Sequence, residues 1–345
     1  MPTELGTSKE YLDGFACPVA HDVRAVDGLG WAAEPRMRTY VLKRIFYSIF
    51  VLWGAITIVF IVVRVLPADP ALLILGPDAT VAQVEALREQ LGLNVPLVAQ
   101  YFQYLGDILR FDFGDSYRLK VPAMELVLQR APATLALATV ALVISLVTGL
   151  VFGLIAALRV NKFADRVISA VSIAAQALPQ FWIGLVLVLI FAKWLKLLPS
   201  AGDSTPAHFI LPALTLSLAF TALLTRLTRS GLLEVVNEGY IQTARAKGLR
   251  ERTVIVSHAV RNALIPIVTV VGLQFGQLLG GTVIVETVFA WPGVGRLLVQ
   301  SIENRDYDVI QAAVIFLAVG FVTINLVVDI AYGVIDPRIR LGARR

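Results

Sequence analysis

The chain has 345 residues, of which 57% are hydrophobic and 16% charged. Soluble domains carry about 45–50% apolar and about 25% charged residues, so two soluble domains of this length are excluded. The net charge of +5 does not indicate nucleic acid either, because the basic residues stand just outside apolar runs, where a membrane protein places them.

Residues 1–36 mix Gly, Asp, Pro and Ala without an apolar run, so no signal peptide is read there. They are expected to form a disordered extension, with Met37 an alternative start. Cys17 is the only cysteine, which leaves no disulfide framework and no Cys-x-x-Cys metal site. Gly-Phe-Ala before it resembles a lipidation site only faintly, since the apolar stretch such a site needs is missing. His21, His208 and His258 are scattered, so no metal cluster is suggested.

A helix crosses the bilayer core with about 20 apolar residues. Six segments meet or approach this: Ile45–Val63, Pro132–Leu158, Val167–Ala192, Phe209–Leu224, Ala263–Val285 and Val309–Val328. The fourth is short and is expected to run on through Thr225. Arg38, Lys43 and Arg44, the loop Arg159–Arg166, the loop holding Arg229, Arg245, Lys247 and Arg250, and the tail Arg338–Arg345 fall on one side if the spans alternate. By the positive-inside rule that side is cytoplasmic and holds both termini.

Between the first two segments, residues 64–131 form an outer insertion. Thr80 followed by Gln83 is a capping-box pattern. Val81, Val84, Leu87 and Leu91 then share one helical face, with Gly92 as a stop. A second amphipathic stretch, Leu97–Phe111, places Tyr101, Leu105, Ile108 and Leu109 together. These read as two small helices on the outer membrane face or as a docking surface for an external partner.

The middles of the six segments carry no Asp, Glu, Lys, Arg or His. Charges inside a membrane usually mark ion or proton pathways, so this pattern argues against a proton- or sodium-coupled carrier. The polar residues present are neutral. Gln176 and Gln180 flank Pro179, which breaks the helix between them, and Gln274 and Gln277 lie in the fifth segment. They read either as helix-to-helix hydrogen bonds or as the wall of an aqueous path for a polar substrate. Gly272, Gly276 and Gly280 recur every fourth residue, a small-residue face for close helix packing.

The loop at residues 234–262 contains YIQTARAKGL, Tyr240–Leu249. Small Ala244, Ala246 and Gly248 alternate with basic Arg245 and Lys247, so a short, compact helix is expected, ended by Gly248 in a left-handed conformation. This run resembles the cytoplasmic loop of binding-protein-dependent ABC importer permeases of the dipeptide/oligopeptide/nickel group. Ala244 and Gly248 match the general Glu-Ala-Ala, three residues, Gly pattern, whereas Gln242 and Thr243 depart from it, Thr243 in the manner of the peptide subgroup. Tyr40–Phe60, Leu66–Pro96, Gly272–Leu298 and Asp336–Arg340 extend the resemblance over most of the chain, to the first of the two permease types.

The resemblance implies an all-α, six-span type I ABC importer fold, with residues 37–345 as the permease domain. It implies a second homologous permease, two cytoplasmic ABC ATPase subunits that bind ATP and Mg, and an extracytoplasmic binding protein. The implied substrates are di- or oligopeptides, with nickel or glutathione as alternatives. Tyr240, Thr243, Ala244, Arg245, Ala246, Lys247 and Gly248 would form the helix that couples to the ATPase. No lysine follows a glycine in this chain, so it holds no phosphate-binding P-loop and no cofactor of its own is expected. A channel, a scaffold or an integral-membrane enzyme are weaker alternatives, the last because His258 beside Ser257 lacks catalytic company.

Overall fold

A computed structural model describes residues 37–65, 79–90, 94–255 and 260–335, together with Ala71 and Leu75. The expectations for residues 1–36, Leu91, Gly92, Ser257, His258 and Asp336–Arg340 fall outside the described residues. Among the described residues the chain is helical, with one isolated bridge, Asp115 to Pro122. Five helices among the described residues are long and apolar enough to cross a membrane, or six if one bent pair counts as a single span.

The first span is α1, Met37–Val65. In the outer insertion come α2, Val81–Gln90, and α3, Leu97–Leu109. The capping box forms at α2: Thr80 N–H donates to Gln83 Oε1 at 2.9 Å and Gln83 N–H to Thr80 Oγ1 at 3.4 Å. The expected apolar faces hold only in part. Val84 is buried, whereas Val81 at the start of α2 and Leu109 at the end of α3 are 86% and 82% exposed. Terminal residues of such short helices reach past the neighbour that the middle turn packs against. For α3 that neighbour is α1, where Tyr101 Oη and Thr57 Oγ1 lie 2.7 Å apart and Phe60 meets the Tyr101 and Tyr104 rings.

The second span, α4, runs Ala123–Leu158 with Pro132 inside it. Its 36 residues make about 54 Å of helix, more than the hydrocarbon core is thick. The expected third span is two arms bent by 112°, α5 (Phe163–Ala177) and the stretch Gln180–Trp194 that opens with α6 (Gln180–Leu187). Proline lacks an N–H and drives the residue before it out of the helical region, and Leu178 is extended at φ −89°, ψ 138°. Beyond α6 the chain continues as a π-helical turn, Val188–Trp194.

A short 3₁₀ turn, Pro206–Phe209, leads into α7, Ile210–Val236, so the fourth span does run on through Thr225. His208 belongs to this turn, its Nδ1 lying 2.9 Å from Thr205 Oγ1. The loop after it holds α8 (Gly239–Ala246) and the single turn α9 (Glu251–Thr253). The last elements are α10 (Arg261–Val288), α11 (Val294–Asn304) and α12 (Tyr307–Ile335).

Lipid tails offer helices no hydrophobic drive to associate, so small residues and interhelical hydrogen bonds hold such bundles. The α4–α7 pair shows both. A Cβ at Gly149 would stand 2.5 Å from Leu224 Cβ, and one at Gly153 2.4 Å from Thr228 Cβ. Ser145 Oγ donates to Ser217 O at 3.0 Å, and Thr148 and Thr221 hydroxyls lie 3.0 Å apart. On α10, Gly272 and Gly276 admit Val328 and Phe321 of α12, whereas Gly280 meets nothing. The glycine face therefore spans two turns, not three. Arg44 and Asp329 form an ion pair that ties α1 to α12.

Candidate translocation site and coupling loop

The break at Pro179 sets where the two glutamine pairs go. Gln176 sits in the last turn of α5 and Gln180 opens α6, while Gln274 and Gln277 lie on α10. All four line one cavity of about 450 Å³, shared with Leu216 and Phe220 of α7 and Gly281. A Cβ at Gly281 would stand 3.3 Å from Gln180 Oε1, so glycine at that position leaves the amide its room. Among the described residues none of the four amides is tied up in a hydrogen bond, which leaves donors and acceptors turned to an uncharged cavity.

The loop that holds α8 has an inner and an outer face. Ile241 and Ala244, three apart on one face, are buried in a cluster with Leu232, Val254 and Ala263. Ala244 thus packs on the chain's own core. Tyr240, Thr243, Arg245, Ala246, Lys247 and Gly248 are exposed. Thr243 Oγ1 donates back to Gly239 O at 3.0 Å. Arg245 donates through Nη2 and Nε to Glu251 at 2.7 and 3.2 Å. That hydrogen bonding raises the pKa of Arg245 and lowers that of Glu251. Gly248 has φ +76°, the expected left-handed stop.

Two charged features escaped the sequence reading. Asp165, buried at the start of α5, accepts from Arg229 Nε and Nη2 at 2.6 and 2.9 Å and from Asn161 N–H at 2.8 Å. This clamps one end of the bent span to α7, just before the loop that holds α8. Glu286, near the end of α10, is fully buried. It accepts from Thr134 Oγ1 at 2.7 Å and from Arg296 N–H at 3.0 Å. Glycine spacing after a lone glutamate, in Trp-Pro-Gly-Val-Gly, was the available signal. A Cβ at Gly293 would stand 2.3 Å from the carboxylate.

A helical bundle of this kind, with a broken span beside an uncharged polar cavity, has the spans of a multi-pass membrane protein. Residues 149–341 match the family described as "Binding-protein-dependent transport system inner membrane component", and residues 37–138 match the N-terminal model of the same system. The chain belongs to this family: it is a permease component of an ABC importer and not an enzyme. It is 43% identical to the glutathione transport system permease protein GsiC of Escherichia coli over 304 residues, 88% of this chain and 99% of that protein. The Shigella dysenteriae protein of that name matches at the same identity and coverage. A chain of the MetNI methionine ABC transporter, in an inward-facing form, shares the fold with a TM-score of 0.50 at 19% identity, covering 64% of this chain and 98% of that one.

Proposed function

We propose that this chain forms half of the translocation pathway of an importer for di- or oligopeptides. The observation that carries this reading is the convergence of Gln176, Gln180, Gln274 and Gln277 on one cavity. Neutral amides can donate to and accept from a peptide backbone without selecting for side-chain charge. The curated relatives, named for glutathione, support a small peptide as cargo. The other half of the pathway would come from a second homologous permease, and a soluble binding protein would deliver substrate from outside. Two cytoplasmic ATPases, binding ATP and Mg, would supply the energy. The bias of lysine and arginine supports placing α8 and both termini in the cytoplasm. There the outer face of α8 with its closing turn, from Tyr240 to Gly248, would seat in an ATPase groove.

Replacing each glutamine singly with leucine is expected to lower peptide uptake by the reconstituted complex roughly two- to ten-fold, the value of a lost hydrogen bond, without affecting assembly. Normal uptake by all four variants would make them packing groups and sink the pathway assignment. Competition among tripeptides, longer peptides and nickel in the same assay decides the cargo class.

The family match begins at residue 37, so residues 1–36 should be dispensable. A chain starting at Met37 is expected to support full uptake. Lost uptake at normal membrane levels would assign those residues a role.

A further inference from the structure

The outer end of α1 does not close on its neighbours. A cleft of about 480 Å³ lies between α1, α11 and α12, within the roughly 300–1,000 Å³ of small-molecule sites. Ile58 and Val62 of α1, Ile302 of α11, and Ile310 and Val314 of α12 are among its walls. The charged and hydroxyl-bearing groups lining it are Arg305 and Tyr307, both at the α11–α12 junction. Val314 lies seven residues beyond Tyr307 on α12, about 10 Å further along the helix. The cleft therefore runs from a cationic, hydroxyl-bearing mouth to an apolar interior along a spanning helix. That is the polarity profile of an amphiphile.

Arg305 is exposed and held left-handed at φ 58°. Among the described residues its guanidinium makes no hydrogen bond or ion pair, whereas nearby Arg118 donates to the Asn304 side chain and Arg296 to Ala290 O. We infer that this cleft binds an anionic phospholipid, with Arg305 on the phosphate, Tyr307 Oη assisting, and an acyl chain between α1 and α12. A guanidinium forks onto phosphate oxygens better than any other side chain. A free phosphate would leave the apolar interior unexplained. A partner helix, about 10–12 Å across, would need a groove along its length, whereas this cleft is about two turns deep. Charge and depth thus favour lipid, which would brace α1 at the end opposite its Arg44–Asp329 ion pair.

The test is native mass spectrometry of the assembled complex released from two kinds of nanodisc. One contains phosphatidylethanolamine with phosphatidylglycerol, the other phosphatidylethanolamine alone. Retention of phosphatidylglycerol over phosphatidylethanolamine is expected for the parent. Arg305→Asn, which tolerates the left-handed backbone, should lower retention about ten-fold, and Arg305→Lys should keep most of it. Ile310→Trp, filling the interior, should abolish retention with the headgroup cation still present. Unchanged retention in Arg305→Asn would overturn the assignment, as would equal retention of phosphatidylethanolamine. Cross-linking of an Ile302→Cys chain to a helix of the second permease would also overturn it, by identifying protein as the occupant.

Discussion

A Glu286→Ala chain is expected to fall at least ten-fold in membrane level and to fail to assemble with its partners. Glu286 is fully buried and joins three segments of the chain. It takes the Thr134 hydroxyl from α4 and the Arg296 N–H from the first turn of α11. Thr134 Oγ1 in turn accepts the Val294 N–H at 2.8 Å, and the Trp291 indole N–H donates to Ala133 O at 3.0 Å. Alanine would orphan the Thr134 hydroxyl and the Arg296 N–H, and each buried orphan costs about 1–3 kcal/mol. It would also leave a void against Gly293 and Gly295, whose missing side chains admit the carboxylate. Glu286→Gln should be intermediate, because one amide oxygen can still serve Thr134 while the amide nitrogen confronts a backbone N–H. Immunoblots of membranes and gel filtration of the extracted complex measure both effects. Parent-like levels for the alanine chain would show that the α10–α11 turn is held by its apolar packing.

The contrast between Glu286 and Gly248 shows what the sequence made legible. Spans, the Thr80–Gln83 cap and the Gly248 stop follow from interactions within a few residues, so local pattern suffices to find them. Glu286 stands one residue past the fifth apolar run and reads as a loop charge until the Pro-Gly turn folds back over it. The Asp165–Arg229 clamp joins residues 64 apart and the Arg44–Asp329 pair residues 285 apart. Neither pairing follows from local pattern, because helix order does not say which ends meet. Pro179 announced a break in the third span, but the 112° bend depends on what each arm packs against. The same limit applied to the glutamines. Their chemistry was visible residue by residue, whereas their convergence on one cavity required α5, α6 and α10 to be placed together.

Gly248→Val is expected to leave the chain assembled in the membrane yet cut ATP hydrolysis stimulated by the loaded binding protein about five- to thirty-fold. An added Cβ at Gly248 would meet nothing within 4 Å, so the substitution acts through the backbone alone. At φ +76° an L-residue carries a penalty of about 1–2 kcal/mol, heaviest for a β-branched one. Helix α8 has eight residues, too few to persist by its own hydrogen bonds. It is held by Ile241 and Ala244 on the core side and by its closing turn, where Gly248 N–H donates to Arg245 O at 2.9 Å. The Arg245–Glu251 ion pair spans that same turn. Forcing residue 248 out of the left-handed region opens the turn, separates this pair and loosens α8, and a loose element cannot transmit displacement from an ATPase groove to the spans. A penalty of this size corresponds to a factor of roughly 5–30 in the seated population. Gly248→Asn, which tolerates the left-handed conformation, should keep most of the stimulation and so separates backbone strain from loss of a contact. ATPase rates and copurified ATPase subunits for both variants, beside the parent, provide the measurement. Full stimulation in the valine chain would remove α8 from the coupling path.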